Sequence, residues 1–158
     1  MDQNPTASIN LAGVQLTVST EELFRAWLQQ QVAKPVAVPG FAVPTPGVGE
    51  RHVATILLPN RTGAHIYLPP HKSDRNDWNS QMQWATSVGG ELPDKVESAL
   101  LLATMPEEFE KEAYWLNKQH AANSNYAWYQ HFGNGLQYYY GKSRKLRARV
   151  VRRQLFTY

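Results

Sequence analysis

The chain has 158 residues, of which 42% are apolar, so it is long enough for one domain with an appendage and too apolar for wholesale disorder. It contains no cysteine, which excludes disulfides, thiolate metal sites and cysteine nucleophiles. The net charge is +3, yet seven basic residues lie between Lys142 and Arg153 with no acid among them, so the rest of the chain is acidic on balance.

The first residues predict an attachment segment at 1–33. Apolar and polar residues alternate on both sides of Ala12-Gly13, which indicates a small β-hairpin. Ser19 and Glu22 stand at capping-box positions and predict that a helix begins there and stops before Pro35. The bulky residues of this helix recur at three- and four-residue spacing, so we expect them either to pack on the hairpin or to form a homo-oligomer: Leu23, Phe24, Trp27 and Leu28.

Residues 34–50 are rich in proline and glycine, which disfavours regular helix and central strand. We interpret them as a spacer between the attachment segment and a domain at 51–158. The alternative is an ordered strap across that domain, because Val36, Val38, Phe41 and Val43 are apolar.

The remaining elements predict an α+β domain. Two strands are expected near 53–58 and 65–68, followed by a helix that begins between Asp74 and Asp77 and ends at Gly89-Gly90. A second helix begins at Asp94, which forms a capping box with Glu97. An antiparallel meander follows, with strands at 114–116, 126–132, 136–140 and 145–151.

An ordered set of short motifs across residues 51–153 resembles the Lcl C-terminal domain family, whose members are common in phages and prophages and whose fold is similar to that of C-type lectins. The motifs are Leu68-Pro69-Pro70, Asp77-Trp78, Trp84-Ala85, 88–93 (VGGELP), 99–101 (ALL), Tyr114-Trp115, Gln119-His120-Ala121, 126–135 (YAWYQHFGNG), Lys142-Ser143 and 147–153 (RARVVRR). Two positions depart from the pattern: Asp94 stands where relatives often carry threonine, and Lys118 where they often carry an acid.

The resemblance implies a C-type-lectin-like scaffold with two helices and an antiparallel meander that presents variable surface residues. It implies no activity, because one fold serves many functions. We therefore expect a non-enzymatic phage or prophage protein, on a virion or in the host cytoplasm, that binds a host protein or glycan. One alternative is an intracellular phage protein that blocks a host defence protein. A second is a nucleic-acid binder that uses the basic C-terminal strand.

The ligand-binding residues are expected among the aromatic strands. Strand parity places Trp128 and Phe132 on one face and Tyr129 and His131 on the other, and we assign the first pair to the core. The predicted ligand-binding residues are Tyr126, Tyr129, His131, Asn134, Gln137, Tyr139 and Lys142. The alternative is that these rings all pack inside the sheet core.

The remaining chemistry is expected to be structural. No histidines pair at four-residue spacing, and no acid follows Asp77-Trp78-Asn79, so we expect no metal, no calcium-dependent sugar binding and no cofactor. Arginines alternate with apolar residues over 145–151, which predicts a strand with a solvated arginine face paired to Glu91, Glu97 or Glu108. Residues 1–12 lack signal-peptide features, and no stretch of about 18 apolar residues predicts a membrane span.

Overall fold

A computed structural model describes residues 6–11, 14–32 and 42–158 of the chain. They belong to two compact units, Met1–Ala42 and Val43–Tyr158. Within the described ranges, the longest apolar helix falls short of what a membrane crossing requires.

The first unit contains a hairpin followed by a helix. Strands β1 (Thr6–Leu11) and β2 (Val14–Ser19) are antiparallel, and Leu11 pairs with Val14, so the connection is two residues long as predicted. Helix α1 (Thr20–Val32) begins directly after Ser19, where the capping signal placed it. The turn residues Ala12-Gly13, and residues 33–41 of the predicted spacer, lie outside the described residues.

The end of the predicted spacer belongs to the second unit. The Tyr67 hydroxyl donates a 3.0 Å hydrogen bond to the carbonyl oxygen of Pro44. The Glu50 carboxylate accepts two hydrogen bonds from Arg152, at 2.6 and 2.7 Å, which lower its pKa. Pro44 and Glu50 therefore contact the second unit, and the boundary between the units lies before Val43. The part of the alternative strap that contains Val36, Val38 and Phe41 lies outside the described residues.

The second unit has an α+β architecture with two three-stranded antiparallel sheets. The first sheet has the order β3-β4-β8, formed by β3 (Arg51–Leu57), β4 (Thr62–Leu68) and β8 (Arg152–Thr157). Strand β4 is central, and its residues from Gly63 to Leu68 are buried. His65 is 2% exposed and its Nδ1 lies 2.8 Å from the Thr55 hydroxyl, so it packs inside this sheet.

Two helices separate the sheets in sequence. Helix α2 (Trp78–Ser87) is capped by Asp77, whose carboxylate accepts from the Ser80 amide, and the chain turns at Gly89, where φ is +76°. Helix α3 (Lys95–Thr104) carries the predicted capping box, because Asp94 accepts from the Glu97 amide and Glu97 accepts from the Asp94 amide. Pro106 opens a short 3₁₀ turn that ends the helical region.

The second sheet has the order β5-β6-β7, formed by β5 (Ala113–Gln119), β6 (Tyr126–His131) and β7 (Gln137–Gly141). One core cluster joins the first sheet to Leu101 of α3 and to Tyr114 and Phe132. A second cluster places Ala85 of α2 against Trp115, Ala127 and Tyr129. Side chains on both faces of β6 therefore contribute to the core.

The predicted last strand at 145–151 is wrong in position. That segment makes only isolated bridges, to Lys72, Asn76, Glu91 and Tyr114, and the regular strand β8 begins at Arg152. Its side chains are also buried further than an alternating strand would require. Arg149 is 2% exposed, and burial lowers the pKa of its guanidinium, which donates to the carbonyl oxygens of Glu108 and Pro69.

The arginines of the basic region do pair with acids, as predicted. The guanidinium of Arg153 binds the carboxylates of Glu97 and Glu91, and Arg149 lies 3.6 Å from a carboxylate oxygen of Glu108. Arg147 binds Glu112 at 3.0 Å, which the sequence did not suggest. These pairs neutralise much of the positive charge that the sequence concentrates between Lys142 and Arg153.

Candidate aromatic binding cleft

A cleft of about 430 Å³ opens where the N-terminus of α3 meets the end of β5 and the middle of β6. Its size is within the usual range for small-ligand sites, roughly 300–1,000 Å³. Eight residues line it: Asp94, Lys95, Val96, Lys118, Gln119, His120, Ala121 and Trp128. Asp94 and Lys118, the two positions at which the sequence differs from the motifs that it resembles, are among them.

Local hydrogen bonds hold the walls of the cleft in place. The capping box fixes the first turn of α3, and the Gln137 side-chain amide donates a 2.7 Å bond to the carbonyl oxygen of Lys95. The amide of Asn117 donates to the carbonyl oxygen of Pro93, which ties β5 to the segment before α3. Five wall residues therefore lie on α3, β5 or β6, and the other three directly precede α3 or follow β5.

Trp128 forms the aromatic wall of the cleft. The ammonium of Lys95 lies 2.8 Å from the centroid of its ring, a close cation–π contact. The His120 ring lies 6.0 Å away at an interplanar angle of 25°, and the Tyr139 ring packs edge-on at 5.6 Å. These contacts hold the indole in one orientation while the residue stays half-buried.

Three tyrosines continue this aromatic surface beyond the cleft, and we call them the tyrosine rim: Tyr126, Tyr138 and Tyr139. Tyr126 packs edge-on against Tyr139 at 5.8 Å, and Tyr138 stacks on Tyr139 at 4.3 Å. Tyr138 is 47% exposed and Tyr126 is 37% exposed. The hydrogen bond between the hydroxyls of Tyr138 and Tyr139 raises the pKa of Tyr139.

Two cations and one imidazole give the cleft its polar character. Burial lowers the pKa of the Lys95 ammonium, and the nearby charge of Lys118 lowers it further. Among the described residues, neither ammonium has a carboxylate within ion-pair distance. The Nδ1 atom of His120 is buried and has no hydrogen-bond partner there. The cleft therefore combines an aromatic surface with two ammonium groups that have no carboxylate partner among the described residues.

The structure brings together some of the predicted ligand-binding residues. Tyr126 and Tyr139 belong to the tyrosine rim, and Gln137 supports the cleft from below through its bond to Lys95. Lys142 lies apart from the cleft lining: its ammonium donates a 2.6 Å bond to the Gln119 side chain and lies 4.3 Å from the Trp78 ring centroid.

Asn134 lies in the turn between β6 and β7, and His131 is the last residue of β6 before that turn. The Asn134 side chain accepts from the Leu136 amide, and the His131 Nδ1 accepts from the Gly133 amide. Both side chains therefore shape the turn rather than the cleft.

The predicted face assignment of Tyr129 is wrong. Tyr129 is 4% exposed, stacks on Tyr140 at 4.4 Å, and pairs across the sheet with buried Trp115. Burial raises the pKa of its hydroxyl to about 12. Trp128, which we assigned to the core, instead lines the cleft. Of the pair predicted to be buried, only Phe132 is in the core, at 8% exposure.

Sequence reasoning missed Trp128, His120, Lys95 and Lys118 as cleft residues. Strand parity could not identify Trp128 as a cleft residue. Helix α3 covers only one end of the β6 face that carries Trp128, and the other end of that face is open. The other three come from separate elements that are distant in sequence. The difference between Lys118 and the acid found in the motifs that the sequence resembles was the one available signal.

The predicted oligomerisation residues can be described only in part. On α1, Phe24 is 58% exposed and Trp27 is 52% exposed, and their rings stack at 5.9 Å. The burial of Leu23 and Leu28 lies outside what the structure describes.

The described ranges contain no group of three or more histidine or acidic side chains arranged to hold a metal ion. No protein-family model matches the chain, and no curated protein is a significant match to it. The resemblance drawn from the sequence motifs therefore stays a prediction, and the function has to be argued from the cleft and its surroundings.

Proposed function

We propose that this chain is a non-enzymatic phage or prophage binding protein, whose second unit is a C-type-lectin-like scaffold that recognises a host surface glycan or protein. The two helices and the β5-β6-β7 meander support the scaffold assignment. The observation that carries the binding role is the cleft together with the tyrosine rim. Tryptophan and tyrosine offer large contact area at low entropic cost and are enriched among residues that dominate binding energy.

The ion pairs of the basic region make the nucleic-acid alternative weaker. Binding to a phosphate backbone needs cations that are free to replace counterions. Arg147, Arg149 and Arg153 are committed to acids of the same unit, and the Arg152 guanidinium binds Glu50. The charge of this region therefore serves mainly to hold the fold together.

Removing a ring of the site should weaken binding to the partner. We expect Trp128→Ala and Tyr139→Ala each to lower the affinity of the full chain for the host surface by about thirtyfold, the effect of a typical hot-spot residue. The measurement is binding of fluorescently labelled protein to intact host cells and to isolated envelope fractions.

Leu155→Ala is the matched control, because Leu155 is 75% exposed on β8 and is not a lining residue of the cleft. If Trp128→Ala, Tyr139→Ala and Leu155→Ala all bind equally well, the cleft is not the binding site. A different result is capture of only a cytoplasmic host protein, with binding that is weakened by the same two ring substitutions. That result would favour the alternative of an intracellular phage protein that blocks a host protein.

We further propose that the first unit joins copies of the chain. A two-stranded hairpin is only marginally stable on its own in water, and α1 exposes the stacked rings of Phe24 and Trp27. A second copy could cover these rings.

The double variant Phe24→Ser/Trp27→Ser should reduce the molar mass of the full chain to that of a monomer in light scattering. Gln29→Ala, on the same helix, should leave the mass of the assembly unchanged. A wild-type chain that is already monomeric at micromolar concentration would refute the homo-oligomer.

A further inference from the structure

We propose that the cleft binds an acidic saccharide, in which a carboxylate, sulfate or phosphate group meets Lys95 and Lys118 while the sugar ring lies among the aromatic side chains. This inference rests on the proposed binding function and names its ligand class. The argument begins with the two ammonium groups, which share one cleft and have no acidic partner there.

Two like charges in a partly apolar cleft repel each other, and an anion would relieve that repulsion. The repulsion is visible in the effect of Lys118 on Lys95, whose pKa is lowered by burial and then by this neighbour. The Asp94 carboxylate also lines the cleft, but its Oδ1 accepts the Glu97 amide at 2.8 Å as part of the helix cap. An external anion is therefore the better partner for both lysines.

The first turn of α3 adds to this attraction. Amides at the start of a helix have no acceptor within the helix, and the first two residues of α3, Lys95 and Val96, line the cleft. They favour a negative group at the same end of the cleft as the lysines. The helix end supports the site but does not define it, because the paired lysines, the aromatic wall and the cleft volume are independent features.

The remaining groups suit a sugar ring. Trp128 and His120 give an aromatic wall, and Gln119 offers an amide at the edge. A mostly apolar cleft with a few convergent polar groups is the usual form of a small-ligand site. The Lys95 ammonium on the indole face would move toward the acid and uncover that face for the ring.

Two other anionic partners fit the cleft less well. An acidic peptide that added a strand would need a free sheet edge, but the amides of Trp115 and Asn117 on β5 already donate to Arg147 and Pro93. A nucleic acid would need a longer run of free cations. Four arginines of the C-terminal region that could contribute to one, Arg147, Arg149, Arg152 and Arg153, are ion-paired.

The test is an array of glycans in matched pairs, in which each acidic sugar has a neutral counterpart. Uronic and sialic acids, sulfated sugars and phosphorylated sugars form separate arms, so that the source of the acid is identified. The full-length chain should bind at least one acidic arm at least tenfold more tightly than its neutral counterpart. The preference should shrink when NaCl is raised from 0.15 to 0.5 M, because salt screens exposed charges.

Lys118→Met should reduce the acidic preference about tenfold, whereas Lys118→Arg should retain most of it. Lys111→Met is the control, because it removes the same charge at an exposed lysine outside the cleft. Circular dichroism and thermal unfolding of each variant show whether it is folded.

The outcomes separate this inference from the broader function. Equal binding of acidic and neutral glycans, or binding to a host protein with no glycan bound, would overturn the acidic-saccharide assignment and leave the binding function standing. Binding to neither glycans nor host surfaces would overturn both.

Discussion

Replacing Glu97 with alanine should lower the free energy of unfolding of the second unit by about 3–5 kcal/mol, the usual cost of removing one partner of a buried ion pair. The Glu97 side chain is 3% exposed and accepts two hydrogen bonds from Arg153, at 2.5 and 2.7 Å. Without Glu97, the guanidinium of Arg153, which is largely shielded from water, loses its main carboxylate partner. It also removes half of the α3 capping box, which is worth about 1 kcal/mol.

The melting temperature of the Glu97→Ala variant should fall by about 10 °C or more in calorimetry or circular dichroism. Glu107→Ala is the control, because that glutamate is 58% exposed and shares Arg51 with Glu108. An exposed pair contributes about 0–1 kcal/mol, so this variant should unfold close to the wild type. If both variants unfold alike, Glu97 and Arg153 do not form the buried pair.

The second large effect concerns neighbouring residues on β6. Tyr129→Ala should cost about 3 kcal/mol or more in stability, because it leaves a cavity beside Trp115 and Tyr140 in the core. Trp128→Ala should cost about 1 kcal/mol, because the indole is half-buried and faces the cleft. Denaturant unfolding of both variants gives the two values.

Strand parity alone predicts the reverse order for this pair, since it places Trp128 in the core and Tyr129 outside. A larger loss for Trp128→Ala than for Tyr129→Ala would therefore restore the sequence-based assignment and remove Trp128 from the cleft. Tyr129→Phe serves as the control. It keeps the ring in the core and should retain most of the stability.

The local elements of the fold were predictable because their signals lie within a few residues. The capping boxes and caps at Ser19, Asp77 and Asp94 place the starts of the three helices, and the turn at Gly89 places the end of α2. The acids predicted for the basic region were also found, because buried arginines require carboxylate partners. Each of these inferences needs only residue chemistry and spacing.

The candidate site was less predictable because it depends on packing between distant segments. One face of β6 is covered along its length, and the other is covered only near Gln130 and Phe132. The alternation of residues along the strand therefore cannot show whether the ring of Trp128 or that of Tyr129 is outside the core. The segment 145–151 has a strand-like pattern, but its bonding partners are single residues in other loops and strands. Lys95, Lys118 and Trp128 come together only after α3 docks beside the second sheet.

The pairing of β8 with β4 has a consequence for how the second unit acquires its structure. The partners Ile66 and Arg153 are separated by more than eighty residues of chain. Contacts of such long range are slow to form, because the intervening loop must be closed before they give any stabilisation. During synthesis, the central strand β4 has no neighbour on its β8 side until the arginines of β8, which complete the sheet, have left the ribosome.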